Sequence, residues 1–358
     1  MPTSLRELTT IRVGGTPHEI IEPRTREDLI AAARRAWLAG DEFVILGGGS
    51  NLVFADSLER LTVLRVLTRG IEILDETPAA TNSVTVRVQA GESWDELVAL
   101  AVDRGWSGIE ALSGIPGQVG AAPIQNIGAY GQEVSSTISA VEFLDFESGE
   151  IGWLKPETLA FGYRTSCFKQ GRAGLIIAVE FRFAIGDGLS QPISFSQLAA
   201  SLGIELGDRA AIADVRQAVL SLRAAKGMVL NPADQDTVSC GSFFQNPVVS
   251  HQFARTLPAD APRFETVEDD GLTVKLSAAW LIENAGIPKG FALAGSKAAI
   301  SSKHTLAITN RGGASADEVV ELARPAFVPV QIQAAPAAVQ QPAADVGLQA
   351  RLPNGVVV

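Results

Sequence analysis

The residues best suited to chemistry fall in short segments rich in glycine or aromatic side chains. LGGGSN (46–51) places Gly47, Gly48 and Gly49 before Ser50 and Asn51. Glycines let backbone N–H groups converge on phosphate oxygens with no Cβ in the way, and the two polar side chains can add hydrogen bonds. The spacing is neither the dinucleotide fingerprint nor a P-loop, and a plain glycine turn is the competing reading. SGIPGQVGAAPIQNIGAYGQE (113–133) is long, low in charge and rich in glycine. Gly114, Gly117 and Gly120 would let the backbone approach a large ligand closely, and Gln125 and Asn126 can bond a polar ring edge. A purely structural glycine loop is the alternative. In FGYRTSCFK (161–169), Arg164 could neutralise an enolate or carboxylate by a forked contact, or simply close a salt bridge at a strand edge. In CGSFFQNP (240–247), Ser242 could present its hydroxyl from a tight, partly apolar turn, or serve only as a turn or cap serine. No G-x-S-x-G elbow accompanies it, so a hydrolase nucleophile is not expected. Glu283 and Asn284 end an apolar helix-like run, AAWLIENAGIPKG, and Lys226 ends LRAAKG. Each is a candidate ligand contact or a solvated helix end. His18, His251 and His304 are far apart, Cys167 and Cys240 form no spaced pair, and no metal site is expected.

The elements that must hold these residues alternate between strand and helix. EDLIAAARRAWLAG has helical apolar spacing and a glycine stop, and GESWDELVALAVDRG has Ser93 as its N-cap. EFVILGGGSN is an apolar run ending in glycines. LTVLRVL, SVTVRVQAG, AVEFLDF and GLIIAVEFRFAI read as strands. Small α+β lobes follow from this, not one long parallel sheet. GDGLSQP (186–192) is the expected domain joint. Beyond it come a helix in DVRQAVLSLRAAKG, another in SAAWLIENAG, a strand in TLAITN and a final helix, DEVVELARPAF, broken by Pro325. From about 325 the chain turns Ala-, Pro- and Gln-rich, with the composition of a linker.

At 358 residues the chain is long enough for two or three domains. With 46% hydrophobic and 19% charged residues it can build real cores. A formal net charge of -11 argues against nucleic acid or an anionic membrane as partner. The polar start, MPTSLRELTTIRVGG, lacks a signal-peptide core, and no run of ~18 apolar residues could span a bilayer. A cytoplasmic, monomeric protein is expected.

The order of the segments is more specific than any one of them. TTIRVGG (9–15), LGGGSNLVFAD (46–56), GIEALSGIPGQVGAAPIQNIGAYGQE (108–133), FGYRTS (161–166), GSFFQNP (241–247), AAWLIENAGIPKG (278–290) and SSKHTLAITNRGGASADEVVELA (301–323) together resemble the UDP-N-acetylenolpyruvoylglucosamine reductases. The resemblance covers roughly residues 5–323. It implies an α+β fold: an FAD-binding domain of the vanillyl-alcohol-oxidase type over 1–185, in two lobes split near 75, a substrate domain over 186–324, and an atypical tail, 325–358. LGGGSN would hold the FAD diphosphate. Ser113, Gly114, Gly117, Gly120, Gln125, Asn126 and Gly128 would line the ribityl chain and isoalloxazine. The implied reaction has two halves. NADPH gives a hydride to the flavin and leaves. The hydride then passes to the vinyl carbon of UDP-N-acetylglucosamine enolpyruvate remote from the carboxylate, and an acid protonates the carbon beside it. UDP-N-acetylmuramate, a peptidoglycan precursor, is the product. Arg164 matches the family arginine that steadies the enolate, and Ser242 the serine that supplies the proton. Lys226 and Asn246 match positions that contact the nucleotide portion, and Glu283 and Asn284 lie in a segment near the substrate. Tyr130 and Tyr163 would pack beside the ligands.

Two positions depart from the family pattern. Phe195, in QPISFSQLAASL, stands where members with the longer substrate domain place a tyrosine over the substrate diphosphate. It can cap the site but cannot donate a hydrogen bond, which predicts weaker substrate binding. The family also ends on a proline-glutamate pair whose glutamate assists proton delivery. Here the last glutamate is Glu321, Asp345 is the only later acid, and Asn354 follows Pro353. A replaced C-terminus would leave an FAD-binding but catalytically impaired remnant as the alternative to an active reductase.

Overall fold

The computed structural model describes residues 3–40, 42–76, 82–264 and 273–327. Chain contacts gather these into two compact units. The first comprises Thr16–Ser50 and Ser57–Leu230. The second draws its described residues from Met1–Gly15, Asn51–Asp56 and Asn231–Val358.

The first unit opens with a parallel sheet. Strands β1 (Pro17–Ile21), β2 (Phe43–Leu46) and β3 (Leu58–Arg65) pair in the order β1-β3-β2, with helix α1 (Arg26–Ala39) between the first two in sequence. The start and stop of α1 are local. Thr25 Oγ1 accepts the Asp28 N–H at 3.1 Å, and Gly40 closes the helix at a φ of 69°. The helix buries Leu29, Ile30, Ala33 and Ala36. An antiparallel sheet follows, built from β4 (Ile71–Glu76), β5 (Ser83–Gln89), β9 (Ile138–Asp145), β10 (Ile151–Leu154) and β11 (Gly174–Ile185) in the order β10-β9-β11-β5-β4. Helix α2 (Trp94–Asp103) lies between β5 and the short strand β6 (Trp106–Ser107), which pairs with the end of β11. Strands β7 (Gly128–Ala129) and β8 (Gln132–Glu133) form a small hairpin.

The strand expected in SVTVRVQ is β5, and its residues alternate between buried and half-buried. Val84, Val86 and Val88 are fully buried, and they share a core with Trp94, Leu97, Phe181 and Phe183. Ser93 caps α2, its Oγ accepting from the Glu96 N–H. GDGLSQP joins β11 to helices α3 (Ser196–Leu202) and α4 (Ile212–Ala225), and both helices remain in the first unit.

In the second unit, β12 (Val248–Ser250), β13 (Arg263–Phe264) and β14 (Thr273–Leu276) form a sheet ordered β12-β14-β13, with helix α5 (His251–Ala254) directly after β12. Helix α6 (Ala278–Asn284), the pair β15 (Ala298–Ile300) and β16 (Ile308–Asn310), and helix α7 (Ala316–Phe327) complete it. Ile11, Val13, Phe244, Ile282, Ile300, Ile308, Val319 and Leu322 make its core.

One expectation is corrected: α7 runs through Pro325 to Phe327 instead of breaking there. Proline removes its own N–H and strains the preceding turn. The buried stripe of Val319, Leu322 and Ala323 packs the preceding turns into the core and so holds the helical course up to Pro325. Asp345, Asn354 and the rest of 328–358 lie outside the described residues.

Candidate active site

In the first unit, two glycine segments distant in sequence meet. Gly47, Gly48, Gly49 and Ser50 follow β2 directly, and Ser50 Oγ donates to the Pro116 carbonyl at 3.1 Å. A Cβ on Gly48 would stand 2.8 Å from Gly117 Cα, and one on Gly117 would stand 3.0 Å from Ser50 Oγ. Gly117 also sits at a φ of +119°. The two turns therefore touch backbone to backbone, which side chains would prevent. Gln118, which the sequence reading passed over, borders this cradle. Its Nε2 donates to the Val66 carbonyl at 3.1 Å. Its Oε1 is buried with no hydrogen-bond partner, 3.1 Å from where a Cβ on Gly47 would lie. A buried, unmet acceptor beside a glycine turn suits a ligand carrying hydroxyl donors, as the ribose and ribityl parts of FAD do. The cradle thus fits the cofactor.

The remaining glycines have distinct tasks. Gly49 turns the chain at a φ of +62°. Gly114 donates its N–H to Asp95 Oδ1 at 2.6 Å, and a Cβ there would meet the Leu220 side chain at 2.8 Å. Gly120 packs on Ala90, 2.6 Å from its own would-be Cβ. Ser113 is fully buried; its hydroxyl donates to the Glu110 carbonyl and accepts from Arg216 Nη1 at 3.0 Å. Arg216 and the Gly114 N–H together hold Asp95. Burial opposes ionisation of that carboxyl, but these hydrogen bonds outweigh it and keep it below the usual range. Gln125 is half-buried, and Asn51 begins a stretch of the second unit.

Arg164 sits on a turn at a φ of 52°. Its guanidinium donates to the carbonyls of Asn126 and Gly128 and pairs with Glu133 at 3.3 Å. Gly128 is glycine for a spatial reason: a Cβ would lie 2.7 Å from Arg164 Nη1. Asn126 spends its side-chain amide on protein partners, donating to Glu133 and the Gly162 carbonyl and accepting the Ser135 N–H. Lys169 Nζ donates to the Arg164 carbonyl at 2.9 Å; burial, then the nearby Arg164 charge, lowers its pKa. Tyr163 lies under Arg164, 5.0 Å from the guanidinium carbon to the ring centroid. Lys226 Nζ donates to Gln197 Oε1 at 2.9 Å and stands 5.8 Å from the Tyr130 ring centroid. Tyr130 in turn meets Phe195 edge to face at 5.4 Å.

In the second unit, Ser242 is exposed on the turn after Cys240, and its Oγ lies 3.1 Å from His304 Nε2. Cys240 itself is buried, which pushes its thiol up to about 12 and leaves it inert. Asn246 Oδ1 accepts the Ala278 N–H at 2.9 Å and so caps α6. Glu283 accepts the Thr305 hydroxyl. Asn284 Nδ2 donates back to the Trp280 carbonyl at 2.9 Å. Among the described residues, no group of three or more His, Cys, Asp or Glu could hold a metal ion, and no helix is long and apolar enough to cross a membrane.

The two-sheet first unit with its glycine cradle defines an FAD-binding domain; residues 17–155 match the FAD binding domain model. Residues 231–334 match the model of the UDP-N-acetylenolpyruvoylglucosamine reductase C-terminal domain. The reductase of that name from Leifsonia xyli subsp. xyli is 52% identical, covering 93% of this chain and 95% of its own length. The Mycobacterium tuberculosis reductase is 45% identical over 89% of this chain and 88% of its own. The crystal structure of the Thermus caldophilus UDP-N-acetylenolpyruvylglucosamine reductase superposes with a TM-score of 0.59 at 27% identity, covering 90% of this chain and 92% of that one. The chain belongs to the UDP-N-acetylenolpyruvoylglucosamine reductase family.

Proposed function

We propose that this chain reduces UDP-N-acetylglucosamine enolpyruvate to UDP-N-acetylmuramate in peptidoglycan synthesis. Bound FAD supplies the hydride chemistry, taking its electrons from NADPH. The protein's own residues bind, orient and move a proton. In this reading residues 1–185 serve the flavin and 186–324 the sugar nucleotide. Gly47, Gly48, Gly49, Ser50 and Asn51 hold the FAD diphosphate. The segment from Ser113 to Gly128 follows the rest of the cofactor, with Gln118 added as an acceptor for a hydroxyl.

Arg164 neutralises the enolate that forms beside the substrate carboxylate. Its support is the anchoring by Asn126, Gly128 and Glu133, which fixes the guanidinium before substrate arrives, so no reorganisation is needed as charge develops. Ser242 supplies the proton to the carbon next to the carboxylate. Lys226 and Asn246 take the nucleotide portion, and Glu283 and Asn284 border the substrate. The observation that carries the reading is the exposed Ser242 hydroxyl, held by His304 on the turn where the family resemblance requires its acid.

The reaction is placed in the cytoplasm with the chain as a monomer, to be checked by sedimentation of the holoenzyme. The activity test is NADPH oxidation by the yellow protein with and without the enolpyruvyl sugar nucleotide. Oxidation that requires the sugar nucleotide, with UDP-N-acetylmuramate found by mass spectrometry, is expected. Oxidation at the same rate without it would contradict the reading.

A further inference from the structure

We infer that His304 returns the proton that Ser242 gives up in each turnover, and that Asp236 is the positioning residue that keeps His304 at this task. The inference rests on the reading of Ser242 as the acid of the reduction.

The Ser242–His304 contact joins residues 62 apart in sequence, and the backbone builds it. The N–H groups of Phe243 and Phe244 both donate to the Leu306 carbonyl, at 2.7 and 3.3 Å. The serine turn is thereby tied to the segment just after His304. The other side of the histidine is tied as firmly. Ser301 Oγ accepts the N–H groups of Lys303 and His304, at 3.0 and 3.1 Å, and donates to Asp236 Oδ1 at 2.7 Å. Asp236 also accepts the Ser302 N–H at 2.8 Å and the Ser302 hydroxyl at 2.6 Å. Lys303 Nζ pairs with Asp234 at 2.6 Å. Two acids of one short turn thus hold the four residues that end in His304. Among the described residues, Asp234, Asp236, Lys303 and, through Thr305, Glu283 are charged groups bonded to this stretch.

The chemistry asks for such a partner. A serine hydroxyl is a weak acid, and the alkoxide it leaves must be reprotonated as it forms. Histidine is the side chain that ordinarily gives and takes protons near neutral pH. As the hydride reaches the far vinyl carbon, the Ser242 O–H bond breaks and a C–H bond forms beside the carboxylate. The Nε2–H bond of the His304 imidazolium breaks and the Ser242 O–H bond is remade. The neutral imidazole then takes up a proton from the bulk solvent, the one proton that the reaction consumes. One hydride and one proton add across the double bond, and the protein ends as it began.

The test uses FAD-loaded protein with His304→Ala, His304→Gln, Asp236→Asn and Ser242→Ala. FAD content, and affinity for the sugar nucleotide read from the flavin spectrum, report folding and binding independently of turnover. Single-turnover reoxidation by the sugar nucleotide is expected to fall about 100-fold in His304→Ala with that affinity kept within about threefold. Added imidazole should restore at least about tenfold of the loss in His304→Ala and nothing in Ser242→Ala. His304→Gln, which keeps a donor without a titratable proton, should stay slow. Asp236→Asn should lower kcat about tenfold with KM unchanged. Wild-type rates in His304→Gln, or no imidazole rescue of a well-bound His304→Ala enzyme, would overturn the inference. A wild-type rate in Ser242→Ala would instead overturn the underlying reading of Ser242.

Discussion

Arg164 and Asn126 are joined directly and through Glu133: Arg164 Nη1 donates to the Asn126 carbonyl at 3.2 Å and to Glu133 Oε1 at 3.3 Å, and Asn126 Nδ2 donates to Glu133 Oε2 at 2.8 Å. Both residues hold positive φ, 52° and 47°. Asparagine tolerates that region better than alanine. Asn126→Ala therefore loses three side-chain hydrogen bonds and adds backbone strain. A destabilisation of about 2–4 kcal/mol in urea unfolding is expected. A change below about 0.5 kcal/mol would show that the cluster is not the support described.

Arg164→Lys tests the fork itself. Lysine keeps the charge but cannot bond the Asn126 and Gly128 carbonyls and the Glu133 carboxylate from one planar group. Reoxidation of reduced enzyme by the enolpyruvyl sugar nucleotide should slow about 100- to 1,000-fold, with FAD still bound. An unchanged rate in stopped flow would remove Arg164 from enolate stabilisation.

The cradle predicts a separate phenotype. In Gly48→Ala the new methyl would press on Gly117 Cα, a backbone atom that cannot rotate away. FAD affinity should fall about 10- to 100-fold, a loss of roughly 1.4–2.7 kcal/mol, and the purified protein should lose its yellow colour on dilution. Titration of apoprotein with FAD measures it.

Phe195→Tyr adds a hydroxyl where the sequence resemblance implies a tyrosine over the substrate diphosphate. Since Phe195 already meets Tyr130 edge to face, the ring needs no new position. KM for the sugar nucleotide should drop about three- to tenfold with kcat unchanged, the worth of one hydrogen bond. An unchanged KM would mean that this side chain does not reach the substrate.

Asp95 gives a pH prediction. Burial would raise its pKa, but Arg216 and the Gly114 N–H hold it below the usual range. A carboxyl with a lower pKa folded than unfolded contributes fully above the unfolded value of about 3.9, and that contribution is lost as pH falls through the folded value. Asp95→Asn should therefore lower Tm at pH 7, and the gap from wild type should close as the pH falls below about 4. A gap independent of pH in calorimetric melts would refute the linkage.

Much of this was legible where the signal is local. The Gly40 stop of α1, the alternation of β5 and the Ser93 cap depend on near neighbours in sequence, and each reads directly from residue type. Contacts between distant segments were not legible. Nothing in the sequence links Ser242 to His304, because the link is made by two N–H groups sharing the Leu306 carbonyl. Gln118 was hidden among glycines whose conformational freedom dominates the local pattern. Asn126 reads from sequence as a ligand contact because a polar residue in such a loop has no visible partner, and the fold supplies three. Pro325 does not break α7, because tertiary packing of Val319, Leu322 and Ala323, which no local rule shows, holds the helix.

The central claim is that this chain's own residues complete the reduction of the enolpyruvyl sugar nucleotide. Reducing the FAD-loaded protein anaerobically with one equivalent of NADPH, then mixing it with UDP-N-acetylglucosamine enolpyruvate in a stopped-flow cell, tests it most directly. The account predicts return of the oxidised flavin spectrum on the order of once per second or faster, with UDP-N-acetylmuramate formed in equal amount. A flavin that NADPH reduces but that stays reduced for minutes with the sugar nucleotide bound would contradict it.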